Sequence, residues 1–151
     1  MNELQELYRE VILDHNRSPR NFGELEDADQ VIEGVNPLCG DKMTLYVKLN
    51  GDTVEDIRFK GTGCAISVAS SSLMTERVKG SSKQESLELF DQIHDMLAAS
   101  DYDENSAHES LEKLAALSGV REYPTRVKCA SLAWHALKNA LTGTDASVTT
   151  E

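Results

Sequence analysis

Residues 42–60 constrain the fold of this chain more than any other stretch, because apolar and polar side chains alternate there with a period of two. This alternation is typical of β-strands that bury one face. Asn50-Gly51 supplies the positive φ angles of a tight hairpin turn, and the return strand over residues 53–60 falters at Glu55-Asp56, which predicts a bulge. With a short strand over residues 30–35, the pattern predicts a three-stranded antiparallel sheet that needs helices to cover its apolar face.

Helical patterns fill most of the remaining sequence. They cover residues 3–15, 65–79 and 126–142 and the segments that begin at Ser82 and Ser106. Ser82 with Glu85, and Ser106 with Glu109, form capping-box patterns. We expect Gly119 to end the helix that follows Ser106, and Pro124 to block an early restart.

These elements predict an α+β fold, in which a three-stranded antiparallel sheet has helices packed on one face. A length of 151 residues fits one domain, which we place at residues 1–143. The polar residues 144–151 are expected to form a disordered tail.

The net charge and the hydropathy of the chain limit the kinds of partner that it can bind and the cellular compartment in which we expect it. The net charge of −11 argues against a nucleic-acid partner and against anionic membranes, since both need a basic surface. No apolar run approaches the ~18 residues of a membrane span. The first residues lack the basic and apolar regions of a signal peptide, so we expect a cytoplasmic protein.

The chain has three cysteines, and each occupies a turn or the start of a helical pattern. Cys39 lies in a turn-rich stretch with Asp41 two residues on, Cys64 opens an apolar helical pattern, and Cys129 is expected in the first turn of the last helix. A helix N-terminus favours a thiolate, and Arg126 and Lys128 add positive charge near Cys129. The odd number of cysteines argues against a disulfide framework.

These contexts leave more than one interpretation of the cysteines. A free cysteine is often an inert, buried apolar residue. If the three thiols instead meet Asp41, they form a Cys3Asp set that suits tetrahedral zinc, but thiolates also hold iron–sulfur clusters. His15, His94 and His108 are expected on solvated helix surfaces, and His135 or His15 is our second choice for a ligand that replaces one of the four.

Three motifs in order resemble the SufU/IscU/NifU-N family of iron–sulfur cluster assembly proteins. They are Asn36-Pro37-Leu38-Cys39-Gly40-Asp41, Gly61-Thr62-Gly63-Cys64 and Arg126-Val127-Lys128-Cys129. Lys128 stands where the IscU-type scaffold has a histidine, residues 122–126 do not match the scaffold's chaperone-recognition segment, and the chain is longer around residues 100–123. These departures resemble the SufU branch of the family.

The SufU-type resemblance implies a zinc site made by Cys39, Asp41, Cys64 and Cys129. It also implies a partner, a SufS-type PLP-dependent cysteine desulfurase, that displaces Cys39 from Zn²⁺ with a ligand of its own and transfers persulfide sulfur to it. Cys39 then passes the sulfur to a reductant or a downstream cluster scaffold, and Arg126 is a candidate contact with the desulfurase. The alternatives are a scaffold that assembles a [2Fe-2S] cluster and a purely structural zinc site in an interaction module.

Overall fold

A computed structural model describes residues 3–98, 111–143 and 147–149 of the chain. Its helices are α1 (Glu3–Arg17), α2 (Ala65–Val78), α3 (Lys83–Ala98), a 3₁₀ helix (Glu112–Val120) and α4 (Pro124–Leu141). Its strands are β1 (Gln30–Asn36), β2 (Asp41–Asn50), β3 (Thr53–Thr62) and β4 (Val148–Thr149). None of the helices in these residues is long and apolar enough to cross a bilayer.

The central hairpin confirms the strands predicted from the alternating pattern of residues 42–60. Strands β2 and β3 pair antiparallel around a turn in which Gly51 has a φ of 62°. The register changes at Glu55, because Lys48 pairs with Asp56 while Leu49 pairs with Val54. Glu55 is therefore the extra residue of the predicted bulge.

The sheet has four strands and is mixed, so the prediction of three antiparallel strands is wrong. Its strand order is β3-β2-β1-β4, and β4 runs parallel to β1, with Gly34 opposite Val148 and Val35 opposite Thr149. The predicted disordered tail is wrong for these two residues of β4, while residues 144–146, 150 and 151 lie outside the described part. Two residues are too few to give a periodic pattern, and only the long-range pairing with β1 makes them a strand.

One face of the sheet carries the core, and α2 and α4 pack over it. The large side chains buried there are Ile32, Leu45, Val47, Ile57 and Phe59 from the strands and Leu73, Met74, Trp134 and Leu137 from the helices. Ser70 joins the two helices, because its hydroxyl donates to the Ala130 carbonyl at 2.6 Å and accepts from the Trp134 indole at 3.1 Å. Ser70 thus links α2 to α4, the helix that carries Cys129.

The helix boundaries confirm one predicted cap and correct two predicted stops. Ser82 and Glu85 form the reciprocal capping box, with N–H to oxygen distances of 3.0 and 3.2 Å; the pair at Ser106 and Glu109 lies outside the described residues. Gly119 is inside the 3₁₀ helix instead of ending it. Pro124 begins α4 instead of blocking it, because a proline at the first helical position loses no hydrogen bond.

His15 is fully buried between α1 and α2, so its predicted place on a solvated helix surface is wrong. The Ser72 hydroxyl lies 2.7 Å from His15 Nδ1 and accepts the Arg20 backbone N–H at 2.8 Å. The other ring nitrogen, His15 Nε2, is buried and has no hydrogen-bond partner among the described residues. Burial, together with the positive charges of Arg20 and Lys113, lowers the pKa of His15 to about 4.

Candidate metal centre

The loop between β1 and β2 presents Cys39 at the surface. Its two ends are held together because Asn36 and Asp41 are opposite each other in the antiparallel pair. Within the loop, the Cys39 backbone N–H donates to the Asn36 carbonyl at 3.3 Å, and Gly40 turns the chain with a φ of 70°. Cys39 is the exposed thiol of the three, whereas Cys64 is half-buried and Cys129 is buried.

Cys64 is the N-cap residue of α2, which confirms its predicted position at a helix start. Its extended backbone places its Sγ 3.5 Å from the Ser67 N–H and its own N–H 2.8 Å from Asp41 Oδ1. A Cβ added at Gly63 would lie only 2.5 Å from the same Asp41 oxygen. Glycine at this position therefore lets the start of α2 close over the Asp41 carboxylate.

Cys129 lies in the second turn of α4, and the prediction of a first-turn position is wrong. The helix begins at Pro124, so the N-terminal groups that favour a thiolate lie a full turn away from this sulfur. Cys129 is instead buried against the loop, with its Sγ 3.1 Å from Cys39 Sγ and 3.3 Å from Asn36 Nδ2. Helix α4 thus supplies a fixed, dry sulfur beneath the exposed one.

The fold brings three of the four predicted ligands into one group and places the fourth beside it. The Sγ atoms of Cys39 and Cys129 and a carboxylate oxygen of Asp41 all lie within 4.8 Å of one another. Cys64 Sγ lies 3.9 Å from Asp41 Oδ2, but it is not part of that mutually close group. The alternative ligands are elsewhere: His15 contacts Ser72, and the His135 ring lies 6.4 Å from that of His94.

The electrostatics of this group favour a bound cation. Asp41 is 1% exposed, and among the described residues no lysine, arginine or histidine nitrogen lies within 4 Å of its carboxylate. Lys128 and Arg126 therefore do not balance its charge by direct contact. Burial raises the pKa of the Cys129 thiol, and its contact with Cys39 raises it further.

The donor set of this group fits a divalent cation. A buried carboxylate without a cationic neighbour is costly unless it is paired or coordinates a metal. A metal ion also reverses the effect of burial on the thiols, because it binds and stabilises the thiolate form. Two or three thiolates with one carboxylate suit Zn²⁺ and suit an iron–sulfur cluster as well.

An open cleft leads from the cysteines to the start of α4. Arg126 lies on its wall with its guanidinium carbon 4.9 Å from the centre of the Tyr123 ring, an ordinary cation–π distance. Arg126 and Tyr123 are exposed, and so is Leu38 on the loop that carries Cys39. Arg126, the predicted contact residue, thus lies on an exposed surface beside the cysteines.

Asn36 is a site residue that was not predicted, although it belongs to the motif around Cys39. Its side chain is fully buried, and Nδ2 lies 3.2 Å from Asp41 Oδ2 and 3.3 Å from Cys129 Sγ. Its position as the last residue of β1, directly before Pro37, was the available signal. That signal predicts a turn, whereas the contact with Cys129 depends on how α4 packs.

Comparison with known proteins gives one consistent family. The profile of the NifU-like N-terminal domain matches residues 7–130. The chain is 44% identical over 138 residues to the zinc-dependent sulfurtransferase SufU of Bacillus subtilis, covering 91% of each protein. It is 43% identical over 141 residues to the iron–sulfur cluster assembly scaffold protein IscU of Streptococcus pyogenes serotype M1, covering 93% of this chain and 86% of that protein.

Solved structures agree with the sequence relatives. A crystal structure from Fervidobacterium islandicum AW-1, described as a candidate iron–sulfur cluster assembly scaffold protein for the SUF system, superposes with a TM-score of 0.80 at 39% identity. The match covers 91% of this chain and 98% of that one. A NifU-like N-terminal protein from Brucella abortus has the same fold, with a TM-score of 0.78 at 24% identity over 93% of this chain and 96% of the other.

Proposed function

This chain belongs to the NifU-like N-terminal domain family of iron–sulfur cluster assembly proteins, which includes SufU and IscU, and we propose that it is a zinc-dependent acceptor of persulfide sulfur. In this proposal, a SufS-type PLP-dependent cysteine desulfurase supplies the sulfur. Cys39 accepts it and passes it to a reductant or to a downstream cluster scaffold.

One observation supports this function above the others: the exposed Cys39 Sγ lies 3.1 Å from the buried Cys129 Sγ. A sulfur acceptor needs one thiol that a partner can reach and a fixed environment that stabilises its thiolate. Cys39 is on a loop and reachable, whereas Cys129 and Cys64 are held by helices. The roles of acceptor and anchor therefore fall on different cysteines.

The residues proposed to hold zinc are Cys39, Asp41, Cys64 and Cys129. Zn²⁺ bound by them would keep the thiols deprotonated at neutral pH, and it has no redox chemistry of its own. Asp41 is positioned for this role by the Cys64 backbone N–H, which fixes Oδ1, while Oδ2 lies near Cys64 Sγ and the Asn36 amide.

The transfer itself is a thiol exchange that balances without an oxidant. The Cys39 thiolate attacks the outer sulfur of a persulfide on the desulfurase's cysteine. A new S–S bond forms at Cys39, the S–S bond on the partner breaks, and the partner's cysteine leaves as a thiolate. Arg126, exposed on the cleft wall, is suited to guide an anionic persulfide or an acidic partner surface toward Cys39.

A cluster-scaffold function is the second candidate, and the IscU relative at 43% identity favours it. The same three sulfurs and one carboxylate can ligate an iron–sulfur cluster. In that case the cluster is the cargo, and the chain releases it to an acceptor protein. The two functions predict different occupants of the same residues, so metal analysis of the purified protein separates them.

Sulfur transfer is tested with the protein, a SufS-type desulfurase and free cysteine. We expect alanine formation to rise several-fold over the desulfurase alone, and mass spectrometry of the alkylated protein to locate one added sulfur on Cys39. The Cys39→Ala variant should lose both effects. The matched control is His94→Asn, an exposed substitution outside the cleft that should leave both unchanged.

Two outcomes would contradict sulfur transfer. One is full stimulation by Cys39→Ala, since no other thiol is proposed to accept sulfur. The other is tight, stoichiometric iron and sulfide in the protein as purified, with transfer of a cluster to an apo-acceptor. That second result would favour the scaffold function instead.

A further inference from the structure

Asn36 contacts two of the proposed ligands at once through a single amide nitrogen. Nδ2 lies 3.2 Å from Asp41 Oδ2 and 3.3 Å from Cys129 Sγ, although Cys129 is 93 residues away in the sequence. The amide therefore ties the end of β1 to the second turn of α4. Cys39 is not a partner of this amide, although its backbone N–H donates to the Asn36 carbonyl.

The other side of the same amide makes the arrangement unusual. Asn36 Oδ1 is buried and has no hydrogen-bond partner among the described residues. A buried, unpaired polar atom costs about 1–3 kcal/mol, and such atoms in native proteins call for a reason. Hydrogen bonds from an amide to a carboxylate or a thiolate are about twice as strong as neutral ones. The orientation of Asn36 is therefore favourable when its two partners are negatively charged.

A charged Asp41–Cys129 pair is the state that a bound divalent cation requires. Metal ligands need deprotonated thiols and carboxylates, and residues that donate hydrogen bonds to the ligands orient them. On the basis of the proposed function, we propose that Asn36 is a positioning residue of the metal centre, whose amide holds Asp41 and Cys129 as the permanent ligands. Cys39 lies outside this frame, which makes it the exchangeable ligand.

The same contact distinguishes the sulfurs by reactivity. A thiolate that accepts a hydrogen bond holds its electron pair more tightly, so Cys129 is a poorer nucleophile than Cys39. Cys129 is also buried, whereas Cys39 is exposed. Asn36 thus directs an incoming sulfur to Cys39 and keeps Cys129 on the metal.

Cobalt binding tests this role, because Co²⁺ replaces Zn²⁺ and its thiolate charge-transfer absorption reports how many sulfurs are bound. We compare the unsubstituted chain with Asn36→Asp, which keeps the shape of the side chain but removes both N–H groups, and with Asn36→Ala, which adds no charge. We expect cobalt affinity, measured against a competing chelator, to fall about 10–100-fold. The charge-transfer band per bound cobalt should weaken, and added sulfur should appear on Cys129 as well as on Cys39.

The matched control is Asn21→Asp, since the Asn21 amide donates to Thr75 at 3.2 Å and aspartate tolerates its positive φ of 56°. The control should bind cobalt within about two-fold of the unsubstituted chain and keep the full band. A merely structural role for Asn36 would lower the melting temperature but leave the band per cobalt unchanged, and that result overturns the inference.

A measurement without substitution covers the case in which both Asn36 variants fail to fold. In the protein loaded with NMR-active cadmium, we expect the side-chain amide protons of Asn36 to couple to the metal through the N–H···S contact with Cys129. If this coupling is absent while Cys129 is bound to the metal, the inference about Asn36 is overturned, but the proposed zinc function is not affected. If the unsubstituted chain gives no thiolate band with cobalt, the proposed zinc function fails, and the inference fails with it.

Discussion

Two clusters of buried polar side chains in the described residues differ in charge more than in burial. Between α1 and α2, His15, Ser72 and the Arg20 backbone form a neutral chain of hydrogen bonds. Between β1 and α4, Asp41 and Cys129 meet around Asn36, and each of them is a potential anion. All of these side chains except that of Arg20 are at least 98% buried.

This difference separates a structural cluster from one built for a ligand. The histidine cluster carries no formal charge at neutral pH, because the pKa of His15 is about 4, although its Nε2 is buried without a hydrogen-bond partner among the described residues. The cysteine cluster gathers acceptors that repel one another when they are ionised and that lack a cationic side chain in the described part of the chain. A divalent cation turns that repulsion into attraction, so the second cluster should respond to metal and the first to protons.

Metal removal should give the largest effect and should act through the cysteine cluster alone. With free Zn²⁺ at about 1,000 times its dissociation constant, binding to the folded state adds about 4 kcal/mol to the free energy of unfolding. Urea unfolding with zinc and with a chelator measures this gain. We expect Cys129→Ser to lose most of it, because it removes a permanent ligand.

The control for metal removal is Ser72→Ala, which damages the histidine cluster. This variant should be less stable with and without metal, but its zinc-dependent gain should remain. If the chelator leaves the urea midpoint of the unsubstituted protein unchanged, the cysteine cluster is not stabilised by a metal ion. That result would contradict the proposed metal centre.

Acidification should give the next largest effect and should act through His15. The pKa of His15 is about 4 in the folded protein against an ordinary value of 6.5, so between these pH values a proton binds mainly to the unfolded chain. The stability that neutral His15 contributes is therefore present above pH 6.5 and is lost as the pH falls toward 4. The loss amounts to at most about 3 kcal/mol.

Unfolding of the chelated protein by urea at pH 7.5 and 5.0 checks this direction. His15→Asn should remove the larger part of the pH dependence, and His135, whose pKa is also lowered by burial, accounts for the remainder. Gln92→Asn, a change of a side chain without a titrating group on the exposed face of α3, should leave the slope nearly as it was. An equally steep loss of stability in His15→Asn would show that the pH dependence arises from another group.

The sequence predicted those parts of the fold that depend on a local pattern. The prediction failed where contacts between distant residues determine the structure. The alternation of residues 42–60 and the capping box at Ser82 are local, and both are confirmed. Strand β4 exists because two residues near the end of the chain reach β1, which no window of the sequence shows. His15 was misplaced for the same reason: one helical period cannot show that α1 packs on α2 and on the 3₁₀ helix.

The sequence identified the candidate residues of the site, but it did not indicate the distances between them or their surroundings. The motif around Cys39 and Asp41, and the helix start at Cys64, gave residues that the fold brings close together. The position of Cys129 in the helix was wrong because Pro124 starts α4 earlier than expected. Asn36 could not be assigned, since its contact with Cys129 appears only once β1 and α4 are packed.

Gly63→Ala should give the smallest of these effects. It tests most specifically whether the cysteine cluster and the histidine cluster respond independently. Its added Cβ would lie 2.5 Å from Asp41 Oδ1 and 3.2 Å from Asp41 Cα, so the carboxylate must move away from the Cys64 N–H. We expect metal affinity to fall about 10–100-fold, equivalent to about 1.4–2.7 kcal/mol. The pH dependence that His15 controls should not change, because the histidine cluster is untouched.

Gly119→Ala is the matched control, since a Cβ there meets no heavy atom within 4 Å. It should bind zinc or cobalt as the unsubstituted chain does, in the same chelator competition. If Gly63→Ala also binds metal normally, the Asp41 carboxylate is not held where the metal needs it, and Asp41 is not a ligand. If Gly63→Ala loses affinity while its metal-free stability stays near that of Gly119→Ala, the position of one carboxylate oxygen governs the cysteine cluster independently of the rest of the fold.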